Sequence, residues 1–105
     1  MMSFEELRII CLSWPDVKEE PHFEKTSFRI KKKIFLSHKS GSGRITVKLS
    51  TQDQDLFGLP DRSVVYPVSN KWGLQGWTIV ELTAIPSDFL LEIVETAFKT
   101  VAKVK

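Results

Sequence analysis

The run Gly76-Trp77-Thr78-Ile79-Val80-Glu81-Leu82 limits the folds open to this chain more than any other stretch. Side chains alternate along an extended strand, so Trp77 and Ile79 face one way while Thr78, Val80 and Leu82 face the other. Apolar groups on both sides predict a central strand, covered by helices on one face and at least partly on the other. Glycine reaches backbone angles that other residues avoid, so Gly73-Leu74-Gln75-Gly76 just before it reads as a tight reversal between strands.

The segments around this strand sort into helices at the ends and strands between. Ser3 with Glu6 three residues later makes a capping box, and Met2 and Leu7 are spaced for a hydrophobic staple. Phe4, Leu7, Ile10, Cys11 and Trp14 form one helical stripe, which Pro15 ends by disfavouring the helical conformation at Trp14. Residues 16–24 read as an acidic connector containing Pro21 and His22. Ser27-Phe28-Arg29-Ile30-Lys31 alternates as a half-buried strand, with Lys32-Lys33 as the turn into Ile34-Phe35-Leu36-Ser37-His38. Ser40-Gly41-Ser42-Gly43 is a flexible turn before Arg44-Ile45-Thr46-Val47-Lys48-Leu49, the cleanest alternation in the chain.

Ser50 or Thr51 caps a short helix through Phe57, stopped by Gly58. Ser63 to Val68 follows as a strand whose Pro67 places it at an edge or a strand end. The last helix begins at Pro86-Ser87-Asp88, carries the stripe Leu90, Val94, Ala97, Val101 and Val104, and pairs Glu95 with Lys99 on its outer side. The expected order is α-β-β-β-α-β-β-α. Strands that follow one another without crossover helices predict one two-layer α+β domain over residues 1–105, with a mostly antiparallel sheet of about five strands and helices on one face. Its core is expected to hold Phe4, Leu7, Cys11, Trp14, Phe28, Ile30, Ile45, Val47, Trp77, Val94, Ala97, Phe98 and Val101. On that reading Trp77→Ala costs about 3–5 kcal/mol.

Composition narrows the function classes. Apolar residues at 42% and charged residues at 27% describe a globular chain rather than a disordered one. The single cysteine, Cys11, rules out an internal disulfide and a cysteine-built zinc site, and on an apolar stripe it reads as a core residue. No apolar run reaches membrane-spanning length, and the expected compartment is the cytoplasm. His22 and His38 have no spacing that would join them as metal ligands, and no nucleophile elbow or phosphate loop is present. Neither catalytic activity, cofactor nor metal is expected.

The pieces resemble the MmcQ/YjbR-like family of small bacterial proteins, a domain of unknown function. The resemblance rests on Phe4-Glu5-Glu6-Leu7-Arg8 with Trp14-Pro15, and on Phe28-Arg29-Ile30 with Lys33-Ile34-Phe35. Arg44 to Leu49, Gly76 to Leu82, and Ala97-Phe98 near Ala102-Lys103 complete it. It implies a compact two-layer α+β fold with an antiparallel sheet. It also implies DNA binding, a label that rests on fold comparison with winged nucleic-acid binders.

Charge supplies an independent clue. The net charge is only +2, yet residues 25–48 carry eight lysines and arginines and no acid, which leaves the rest of the chain net acidic. With Phe28, Ile30, Ile45, Val47 and Leu49 turned to the helices, strand parity turns Arg29, Lys31, Arg44 and Lys48 away from them. Lys33, Lys39 and the Lys71-Trp72 loop rim the same surface. Such a face suits weak, non-specific binding of DNA or RNA phosphates, with dissociation constants of about 10⁻⁴–10⁻⁶ M, and Trp72 is placed to stack on an unpaired base. An acidic protein is the alternative partner, and charged outer faces also guard sheets against aggregation.

Overall fold

The computed structural model describes residues 2–103, apart from the His22 side chain. Val104, the last residue of the predicted helical stripe, lies outside the described residues. Helix α1 (Phe4–Leu12) starts with the capping box read from the sequence: Ser3 Oγ accepts from the Glu6 N–H and the Glu6 carboxylate accepts from the Ser3 N–H. Hydrogen bonds to that carboxylate from the Ser3 backbone N–H and from the Ser3 side chain hold the Glu6 carboxyl below its ordinary range. The helix stops at Leu12, earlier than Pro15 demands, because the Ser13 hydroxyl and N–H both donate to the Ile10 carbonyl.

Six strands follow: β1 (Val17–His22), β2 (Lys25–Ile30), β3 (Lys33–His38), β4 (Arg44–Lys48), β5 (Val65–Pro67) and β6 (Trp77–Glu81). They form one antiparallel sheet in the order β1-β2-β3-β4-β6-β5. Helix α2 (Thr51–Gly58), the single turn α3 (Lys71–Leu74) and α4 (Ser87–Ala102) complete the described residues. The α+β class and the one-sided helical layer stand as read from the sequence.

Three local readings change. The acidic connector is strand β1, paired with β2 from Val17 opposite Ile30 to His22 opposite Lys25. An edge strand tolerates Pro21 and its charges because one side of its backbone needs no partner strand. The β2–β3 turn is Lys31-Lys32, with φ of 51° and 72°, rather than Lys32-Lys33. Two positive φ values are what a two-residue hairpin turn requires, and they take Lys31 out of the strand. The predicted reversal at residues 73–76 begins instead with α3, capped by Asn70, whose side chain accepts from the Trp72 N–H.

Helix α4 lies across β3 and β4, and α1 lies beside β1. Phe57 of α2 meets Phe89 of α4 edge-on, with ring centroids 5.8 Å apart. Beneath them Leu7, Cys11, Phe28, Ile30, Leu36, Ile45, Val47, Leu49, Val65, Val80, Leu90, Ile93, Val94 and Ala97 are sealed from water. A bulge at Phe28/Arg29 leaves Phe35 without a cross-strand partner, which explains how neighbouring Phe35 and Leu36 are both buried. Phe4, Trp14, Phe98 and Val101, expected in the core, pack against its margin and stay partly exposed. Trp77 is the larger correction. Thr78, Val80 and Leu82 take the covered side of β6, so Trp77 lies half-buried on the open side.

Candidate nucleic-acid interface

Strand parity builds the open face. Register sets Ser27 opposite Ser37, Ser37 opposite Thr46, Thr46 opposite Ile79, and Lys48 opposite Trp77. The floor thus formed from Ile34, Ser37, Thr46, Trp77 and Ile79 lies between two loops. One brings Lys39 and Ser42, the other Val68, Asn70 and Trp72, and together with Lys25 and Arg44 they enclose an open cavity of about 650 Å³. That volume is within the range of small-ligand sites. Its lining includes two tryptophans and three cations and no aspartate or glutamate.

Two glycines allow this shape. Gly76, at φ 100°, accepts the Leu49 N–H at 3.0 Å, and a Cβ there would stand 1.8 Å from the Leu49 carbonyl oxygen. A Cβ on Gly73 would stand 2.0 Å from the Val68 oxygen. The backbone can therefore fold tightly enough to set Trp72 above the sheet, 49% exposed, close to Trp77 in sequence and lining the same cavity. Gln54 of α2 ties the loop down, its amide donating to the carbonyls of Gly73 and Trp77 and to the Thr78 hydroxyl.

The seven predicted site residues divide. Arg44 and Trp72 line the cavity. Lys48 borders it, its ammonium 5.9 Å from the Trp77 ring centre and donating to the Gln75 carbonyl, and Lys71 sits 6.0 Å from the Trp72 ring centre. Arg29 donates to Ser27 Oγ on its own strand and to Pro21 O of β1, and lies 3.8 Å from a Glu20 carboxylate oxygen of β1. Lys31 is in the β2–β3 turn and Lys33 begins β3, and neither lines the cavity. The four cations expected in a row on the strands are therefore not a row: one is in a turn, and both arginines face carboxylates.

Arg44 is held in a network. Its Nε lies 3.4 Å from Glu81 Oε2, the same oxygen that accepts from the Tyr66 hydroxyl. That hydrogen bond, reinforced by burial and by the carboxylate charge, pushes the Tyr66 phenol above its ordinary value, while the Arg44 charge acts against the shift. Sequence reasoning missed Lys25 as a lining residue and assigned Trp77 to the core. The available signal was parity: once Val80 and Leu82 take the covered side, Trp77 and Ile79 must take the other.

The remaining reactive groups stand elsewhere. Burial pushes the Cys11 thiol up to about 12, so it stays protonated at neutral pH. His38 is on the covered side, stacked on Phe4 with ring centroids 3.6 Å apart, and partial burial lowers its pKa. The reading of His22 as a solvated loop residue concerns a side chain outside those described. Among the described residues no three His, Cys, Asp or Glu side chains gather into a metal-holding group, and no helix is long and apolar enough to cross a membrane.

Comparison with known proteins gives a family and a fold. The YjbR family model matches residues 12–100. No curated protein matches the chain. Among solved structures, the crystal structure of Deinococcus radiodurans protein DR2400, which carries the family domain DUF419, is similar with a TM-score of 0.85. The match covers 98% of this chain and 80% of that one at 20% sequence identity, a likeness of fold rather than of activity.

Proposed function

We propose, from the premise that this chain belongs to the YjbR family, that its open sheet face binds single-stranded nucleic acid, weakly and without strong sequence preference. The observation that carries this reading is the cavity lining: Trp72 and Trp77 with Lys25, Lys39 and Arg44, and no acid among them. Every base has a π-face that stacks on an aromatic ring, and every nucleotide carries a phosphate that an ammonium or guanidinium neutralises. A duplex hides its base faces, and the cations expected in a row to grip its phosphates are not in one: Lys31 is in the β2–β3 turn and Arg29 faces Glu20. An acidic protein satisfies the cations but offers no systematic partner for two ring faces. The surface therefore favours an unpaired strand.

The test is titration of a fluorescent oligothymidine of about eight nucleotides against the protein, with tryptophan emission followed in parallel. Binding is expected to quench that emission, and single strand should bind more tightly than duplex. Three phosphate contacts on a single strand imply a slope of log affinity against log salt near −2, at about −0.7 per contact. Replacing Lys25 and Lys39 together by Gln should flatten it by about 1.4. The reading fails if duplex binds as tightly as single strand, or if nothing binds at low salt. Polyglutamate binding where oligothymidine does not would move the acidic-protein reading ahead.

A further inference from the structure

The hairpin joining β1 to β2 turns on two residues, Phe23 and Glu24, between the paired His22 and Lys25. Phe23 has φ of 59°, a left-handed conformation that turns of this kind usually give to glycine, asparagine or aspartate. A bulky residue there is strained, and residues held in such conformations cluster at ligand-binding positions. The Phe23 ring is 93% exposed. Its position is informative. Phe23, Glu24, Lys25 and Lys39 line a second hollow of about 270 Å³, and Lys25 and Lys39 also line the tryptophan cavity. The two spaces thus adjoin along a lysine pair, with rings on either side of it.

We infer that Phe23 is a further stacking residue for a single strand, holding a base beyond the lysine pair from Trp72 and Trp77. The inference rests on the single-strand reading and extends its footprint. Phosphates cross between Lys25 and Lys39, and the next base lies on the Phe23 ring. Glu24 gives the outer hollow a carboxylate, which repels phosphate and accepts from base N–H groups, thymine N3–H among them, so a base rather than a phosphate occupies that side.

The experiment compares Phe23→Gly, Phe23→Leu and Phe23→Trp with the parent on oligothymidines of about four and about eight nucleotides. Phe23→Gly should raise the thermal midpoint, because glycine relieves the positive φ, while weakening the longer oligomer about tenfold and the shorter one little. Leucine should lose binding like glycine, and tryptophan should keep it. A stability gain combined with a length-dependent affinity loss cannot arise from a purely structural role. If Phe23→Gly binds both lengths like the parent while Trp72→Ala weakens both, Phe23 is not a subsite and the single-strand reading stands. A Phe23→Gly variant that loses stability and binds both lengths equally weakly also overturns the subsite. A parent protein that binds neither oligomer overturns both.

Discussion

On the covered side of the sheet Phe28, Leu36, Ile45, Val47 and Val80 are sealed from water, whereas Ile34, Thr46, Trp77 and Ile79, on the same strands, line the open side half exposed. Backbone and strand order are shared, so the difference lies in what covers each face. Helices α1 and α4 close one side of the sheet. The other is closed only at its margins, by loops that bring tryptophan and lysine. Leaving an aromatic floor in partial contact with water gives up burial energy, and exposed apolar patches of this kind commonly serve as binding sites. The contrast teaches that one face stabilises the fold and the other is free to recognise a ligand.

Paired truncations should break or sharpen that contrast. Phe28→Ala on the covered face should cost about 3–5 kcal/mol, because the ring is fully buried and the helices above cannot collapse far into the cavity. Trp77→Ala on the open face should cost about 1–2 kcal/mol, roughly half the burial value of a large apolar side chain. Denaturant midpoints for both variants measure the difference directly. Equal losses would make the open face part of the core and remove its claim to a separate role.

A smaller effect is expected at the hinge between the faces. Gly76→Ala meets the Leu49 carbonyl and a φ of 100°, and strain of this kind costs about 1–3 kcal/mol. Gly41→Ala is the matched control, with φ of 80° and nothing within 4 Å of the added carbon. If the two variants unfold at the same denaturant concentration, backbone angle alone explains both. If Gly76→Ala is worse and also weakens oligothymidine binding, the close approach at Leu49 positions the tryptophans as well as closing the turn.

How far this architecture could be read without coordinates depended on where each signal resides. The α1 capping box, the α4 stripe as far as Val101 and the alternation of β4 are local patterns, and each appears where the residues place it. The polar edge strand β1 has no such pattern: Lys18-Glu19-Glu20-Pro21 pairs through its backbone, so only the neighbouring strand reveals it. The Lys31-Lys32 turn contains no glycine to announce its positive φ. For β6, alternation correctly separates Trp77 from Val80. Which of two apolar faces receives the helices is a property of the whole sheet, so Trp77 was assigned to the wrong one. Within the site, Arg44 and Trp72 followed from parity and composition. Phe23 and Lys25 on the β1–β2 hairpin meet Lys39 from the loop after β3, a convergence that no local spacing encodes.

The smallest effect concerns pH and the covered face alone. His38 stacks on Phe4 there, and partial burial disfavours its charged form, so its pKa falls below the ordinary 6.5. In this case the folded state binds fewer protons than the unfolded state. Stability therefore rises with pH between the lowered folded value and 6.5, is fully present above 6.5, and is lost as pH falls through that window. His38→Phe keeps an aromatic partner for Phe4 and removes the titrating group, so its thermal midpoint should stay flat across the interval where the parent declines. Binding at the open face should respond differently, because His38 lines no part of the cavity. Oligothymidine affinity measured at a temperature where both proteins are folded should follow the same pH course in parent and variant. A variant that changed the affinity profile while leaving the stability profile intact would place His38 in communication with the open face and end the separation of the two.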